Sequence, residues 1–156
     1  GEAPLAVARL HQLESGVVVD YRRSTAEQLA AEEAGAHDIV CCLEMLEHVP
    51  EPGAVIAACA ELARPGGALY FSTINRNPKS FAFAIVGAEH ILQLLPAGTH
   101  EYARFIKPSE LASWLREAGL VLEGMTGLTY NPLTKRYRLD EADVSVNYMV
   151  RAAKPS

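Results

Sequence analysis

Glu44, Glu47 and His48 are the residues whose types and spacing most readily support chemistry. If a helical turn begins at Glu44, positions i, i+3 and i+4 share one face. The imidazole suits a general base, with Glu44 beside it. The same three groups also make an oxygen-rich ligand set, suited to Mg²⁺ or Mn²⁺ and open to Zn²⁺. A third reading stays open: the carboxylates hydrogen-bond backbone at a strand end and His48 packs in a turn.

The trio follows residues 38–43, a short apolar run with Ile39 and Val40 that reads as a buried strand. In open α/β sheets ligands sit just beyond the carboxyl ends of strands, and the trio is delivered there. Upstream, Ala3, Ala6, Val7, Leu10 and Leu13 stripe a helix that Gly16 stops. Residues 17–22 read as a strand. A weak helix then opens at Ser24-Thr25-Ala26-Glu27, with Ser24 as cap and Glu27 closing a capping box.

Downstream of the trio, Val55, Ile56, Cys59, Leu62 and Ala63 line one face of a helix that ends at Pro65-Gly66-Gly67. A strand over 68–74 follows, then the loop Asn75-Arg76-Asn77-Pro78. Residues 79–95 spread apolar side chains around most of a helix, which suits burial, a membrane or an apolar ligand. Leu111, Trp114, Leu115 and Ala118 stripe the next helix, ended by Gly119. Strands over 120–130 and 144–152, joined by a polar connection, are expected to pair antiparallel. The alternation of elements implies an α/β sheet with helices on both faces.

The 156 residues fit one domain. A net charge of −5 with scattered basic residues argues against a nucleic-acid partner. The longest apolar stretch, 80–88, is too short to span a bilayer. No signal-peptide pattern opens the chain. Cys41, Cys42 and Cys59 form no CxxC pair and read as buried thiols of a reducing cytosol.

Leu43-Glu44, the passage Leu62-Ala63-Arg64-Pro65-Gly66-Gly67-Ala68-Leu69 and the late strand pair together resemble class I S-adenosylmethionine-dependent methyltransferases. Glu44-Met45-Leu46-Glu47-His48-Val49-Pro50, Phe71-Ser72-Thr73-Ile74-Asn75-Arg76-Asn77, Gly98-Thr99-His100, Phe105-Ile106-Lys107-Pro108 and Val146-Asn147-Tyr148-Met149 narrow the match. Across the whole chain they resemble the UbiG family, O-methyltransferases of ubiquinone biosynthesis.

The resemblance implies a Rossmann-like class I methyltransferase sheet, mostly parallel with a C-terminal antiparallel strand pair. It implies methylation of phenolic hydroxyls on polyprenylated catechol intermediates. S-adenosyl-L-methionine is the implied cofactor, with its adenine beside Thr25 and Ala26 and its sulfonium near Leu43. The Glu-x-x-Glu-His spacing also resembles the metal site of small-RNA 2′-O-methyltransferases, where a downstream histidine completes the set. That makes His100 the candidate fourth ligand.

Residues 76–107 are then a lid or membrane-facing insertion, with Phe81, Phe83, Ile85 and Val86 as its contact residues. Implied partners are the polyprenylated substrate, the membrane surface and a ubiquinone-biosynthesis complex; the implied location is cytoplasmic, at the inner membrane face. The family's glycine-rich loop and the acidic residue that holds the ribose are missing from this sequence. The chain looks like the C-terminal two-thirds of such an enzyme, and the strand at 17–22 is expected to be unpaired or displaced. The alternatives are another class I methyltransferase, acting on a sugar, lipid or RNA hydroxyl, or an inactive fragment serving as an interaction module.

Overall fold

The computed structural model describes residues 2–82, 101–131 and 134–156. Five strands form one sheet in the order β1-β2-β5-β3-β4. They are β1 (His37–Leu43), β2 (Ala63–Ile74), β3 (Val121–Asn131), β4 (Arg136–Asp140) and β5 (Asn147–Ala153). β1 and β2 pair in parallel; β5 runs antiparallel between β2 and β3, and β4 extends β3 as a hairpin. β1, β2 and β3 therefore point the same way, with their carboxyl ends at one edge.

The helices are α1 (Glu2–Ser15), α2 (Ala26–Glu32), α3 (Pro52–Leu62), a single turn α4 (Pro78–Ser80) and α5 (Pro108–Glu117). The stripes on α3 and α5 bury as expected. Ile56, Leu111 and Leu115 are sealed against Leu69, Phe71, Tyr148 and Val150 of the sheet in one cluster. Fully burying each such side chain contributes roughly 1.5–3 kcal/mol. Within this cluster lie Cys42 and Cys59, whose thiols hydrogen-bond each other. That bond and burial push the Cys59 thiol up, so it stays protonated.

The Pro65-Gly66-Gly67 turn lies inside β2 as an irregularity. Register with β1 slips between His37 and Ile39, and Gly66 takes φ +73°. A Cβ on Gly67 would stand 2.8 Å from the Arg64 carbonyl oxygen and 3.2 Å from that of Asp38. Only glycine lets the two backbones approach this closely.

The N-terminal elements differ. α1 forms and Gly16 ends it at φ +69°, but the helix buries none of its residues. Val7 is 66 % exposed and Leu13 80 %. Residues 16–25 have no regular secondary structure, so 17–22 is unpaired as expected. α2 is capped one residue later than the sequence suggests. Thr25, not Ser24, takes the cap, and Gln28, not Glu27, closes the box. Cys41 is exposed, against the expectation of a buried thiol, because it sits on the uncovered face of β1 with Ile39 and Leu43. β4 lies in what reads from sequence as a polar connection.

Candidate active site

β1, β2 and β5 meet at one end of the sheet. Ile74 at the end of β2 lies opposite Asn147 at the start of β5, and Leu43 lies opposite Ser72. At the end of β1 the chain turns through Glu44, a non-glycine residue with φ +50°. Such a conformation costs on the order of 1 kcal/mol and concentrates at functional sites. Two acceptors on Ser72 hold it: the Glu44 N–H donates to the carbonyl oxygen at 3.1 Å and to Oγ at 3.0 Å. The Asn147 amide nitrogen donates to the Glu44 carboxylate at 3.3 Å.

Glu44, Glu47 and His48 do not share a helical face. The turn that follows is a 3₁₀ turn, Leu46–His48, with three residues per turn, and Glu44 stands outside it in the left-handed region. Glu47 is 3 % exposed and turns inward, where the Thr73 hydroxyl donates to its Oε2 at 2.7 Å. Its other oxygen, Oε1, is buried without a hydrogen-bond partner. Glu44 and His48 face outward. Among the described residues no group of three or more His, Cys, Asp or Glu side chains is gathered to hold a metal ion. The expected ligand set of Glu44, Glu47 and His48 therefore does not converge. His100, like Phe83, Ile85 and Val86, lies outside the described residues.

Leu43 is 49 % exposed at the carboxyl end of β1. Thr25 and Ala26 open α2. The Thr25 hydroxyl accepts from the Gln28 N–H at 3.2 Å, so its side chain is committed to the cap. Half-buried Ala26 packs against the cluster of Ala30, Ala58 and Leu62, as does Val40 of β1.

Behind the turn lies a cavity of about 230 Å³, lined among others by Leu46, Val49, Phe105, Ile106 and Trp114, with Arg76 and Glu110 paired at its wall. The Tyr148 hydroxyl donates to the Ile106 carbonyl oxygen at 2.9 Å. Burial, then the charges of Glu110 and Glu47, push this phenol up, so it remains a donor. Asn75 and Asn77, after β2, donate to the carbonyl oxygens of Val144 and Ser145. They clasp the connection leading into β5. Phe81 is 43 % exposed, with its ring edge-on to Tyr102 at 5.4 Å. No helix of the described residues is long and apolar enough to cross a membrane.

Sequence reasoning misses Ser72, Thr73 and Asn147 as the partners that hold Glu44 and Glu47. The available signal is polar interruption: Ser72-Thr73 breaks an otherwise apolar strand, and Asn147 opens one.

A family profile described as "Methyltransferase domain" matches residues 5–123. The protein named ubiquinone biosynthesis O-methyltransferase from Hahella chejuensis is 67 % identical over 155 residues, which cover 99 % of this chain and 65 % of that protein. Its namesake from Stutzerimonas stutzeri is 64 % identical over the whole chain and 67 % of its own length. The chain thus spans about two-thirds of these curated relatives. Among solved structures, an O-methyltransferase family protein from Burkholderia thailandensis superposes with a TM-score of 0.57 at 22 % identity, covering 97 % of this chain and 40 % of that one. The [4+2]-cyclase SpnF superposes at 0.65 with 16 % identity, over 96 % of this chain and 62 % of that one. At these identities the likeness is one of fold alone, and a cyclase among the neighbours keeps fold and reaction apart.

Proposed function

This chain belongs to the methyltransferase domain family, in the branch of the ubiquinone biosynthesis O-methyltransferases, and from that premise we propose that the full-length protein methylates phenolic hydroxyls of polyprenylated catechol intermediates, drawing the methyl group from S-adenosylmethionine. The observation that carries the proposal is identity of 62–67 % to relatives of that name over nearly every residue of the chain.

The cofactor supplies, when bound, an electrophilic methyl group on a sulfonium. The residues present fit one flank of it. Leu43 offers exposed apolar surface at the end of β1, and the Thr25-Ala26 turn offers a small residue and first-turn N–H groups that the cap does not engage. Holding the acceptor in line accounts for much of the rate in such a transfer. We assign His48 as the base that takes the phenol proton, with Glu44, steadied by Asn147, orienting the acceptor or the imidazole. The described donors do not fit a metal: Glu47 is turned to Thr73 beneath the site, and Glu44 and His48 face outward without it. We further propose that the 76–107 insertion meets the membrane surface through Phe81, Phe83, Ile85 and Val86.

The test is turnover by the full-length protein on a water-soluble, tail-less catechol with S-adenosylmethionine. Methylated phenol is expected, and His48→Gln should lower kcat by roughly 10²-fold or more. Unchanged kcat removes His48 as base. No product from any catechol removes the proposal.

A further inference from the structure

Among the described residues two that are not glycine take a positive φ, Glu44 and Lys135. Lys135 lies in the loop between β3 and β4, where a left-handed residue is ordinary turn geometry. Glu44 follows the last residue of β1, at the active-site end of the sheet. A glutamate side chain gains nothing from that backbone conformation, and glycine adopts it without strain. The carboxylate therefore stands where folding alone favours glycine.

Two polar side chains hold it there, one at each end of the residue. The buried Ser72 hydroxyl accepts the Glu44 N–H, beside the Ser72 carbonyl oxygen that the same N–H reaches. The Asn147 amide donates to the carboxylate oxygen Oε2. Among the described residues neither side chain makes a hydrogen bond to any residue but Glu44. Burying a hydroxyl costs free energy unless it is bonded, and here the bond goes to the residue at positive φ. Register ties the two grips together. Ser72 lies opposite Leu43 and Met149, and Ile74, one pleat further along β2, lies opposite Asn147. Ser72 and Asn147 therefore share one face of the sheet, and the β2–β5 ladder fixes the spacing between the grip on the backbone and the grip on the carboxylate. Thr73 lies on the other face, where it draws Glu47 inward. The two carboxylates of the turn are thus parted by side chains from opposite faces of one strand.

We propose that Ser72 and Asn147 are positioning residues for the transfer: Ser72 keeps the Glu44 backbone in the left-handed region, Asn147 aims its carboxylate, and together they present it to the acceptor. This rests on the reading that Glu44 orients the phenol or the imidazole, and names what sets that orientation. Neither side chain touches the reacting atoms; each acts through Glu44. Misplacing a group by about 1 Å can cost on the order of 10²-fold in rate, so loss of a grip falls on kcat.

Kinetics of the full-length protein on the tail-less catechol test this. Ser72→Ala and Asn147→Ala should each lower kcat by roughly tenfold or more. Ser72→Thr, which keeps the hydroxyl, should lose less than Ser72→Ala. In a Glu44→Ala background neither alanine substitution should lower kcat further, because residues that act through one group are not additive. Losses that persist in full in that background mean that the two side chains serve only the fold, and they overturn the proposal. Wild-type kcat in Ser72→Ala and Asn147→Ala overturns it as well. Glu44→Gly, which relieves the backbone, should melt at or above wild type while losing turnover as Glu44→Ala does; melting well below wild type counts against a carboxylate held against strain and overturns the proposal. The positioning and the reaction fail separately. Wild-type kcat in Glu44→Ala, with a depressed one in His48→Gln, leaves the reaction and removes the positioning. No product from any catechol removes the reaction, and the melting of Glu44→Gly then decides alone whether the carboxylate is held against strain.

Discussion

The sheet has two edges, and they are built to opposite rules. β4 ends it with Arg136, Arg138 and Asp140 on one side of the strand. β1 ends it with Ile39, Cys41 and Leu43 exposed on one face and a single charged residue, Asp38, paired to Arg64. Charges on a strand keep other strands from adding to it, and their absence invites addition. The β4 edge has the chemistry of a true edge. The β1 edge has that of a strand paired and covered in a larger sheet. Beside it, α1 exposes its apolar stripe and residues 16–25 pair with nothing in the sheet. The curated relatives are longer than this chain, so they have residues with which to cover such an edge.

The sharpest way to break this comparison is Cys41→Lys. In the full-length protein it should cost about 3 kcal/mol or more, as an unpaired charge placed in a covered interior does. In the 156-residue chain, where Cys41 is exposed, it should change stability by less than about 0.5 kcal/mol. Urea unfolding of both lengths measures the difference; equal small effects would make β1 a true edge. Next in size is Gly127→Ala at the root of the hairpin. A Cβ there would overlap the backbone of Asp143, and overpacking of this kind costs typically 1–3 kcal/mol. Wild-type stability in that variant would mean that the connection after β4 yields freely and the hairpin is not fixed to the sheet.

The smallest effect concerns Asp143, on that same connection. Its carboxyl is held at about 2, against an ordinary 3.8, by hydrogen bonds from the Ser145 hydroxyl, Lys79 and the Ser145 N–H. A depressed native value means the folded state releases this proton more readily than the unfolded chain. The stabilisation is therefore whole above about pH 4 and is lost as pH falls through about 2. Asp143→Asn should flatten that part of the acid limb. A carboxyl titration by NMR with its midpoint near the ordinary value would show that the connection is not anchored through Lys79.

Much of the fold is legible in the sequence because burial writes a period. The stripes Val55-Ile56-Cys59-Leu62 and Leu111-Trp114-Leu115 point inward as their spacing requires. The unpaired 17–22 segment is legible only through the strand order that the family resemblance implies. The cap of α2 is legible only to within a residue, since Ser24 and Thr25 both cap well and both Glu27 and Gln28 close a box. β4 escapes because Asn131-Pro132 announces a turn and RYRLD carries too much charge to read as a strand. At the site, residue types are legible and geometry is not. Whether Glu44, Glu47 and His48 share a face depends on one backbone angle at Glu44 and on Thr73, which draws Glu47 inward from 26 residues away.

The clasp between the loop after β2 and the connection into β5 has a kinetic consequence. Asn75 and Asn77 grip Val144 and Ser145, and Lys79 grips Asp143 and Ser145. One side of this clasp follows β2; the other is the root of the hairpin. Bonds that share one frame close cooperatively: while one holds, its neighbours are kept at high effective concentration and re-form before the loop can leave. Each bond can then break often on its own, while the two segments part only when all have opened together. Removing a single bond should therefore speed that opening by more than its own strength suggests.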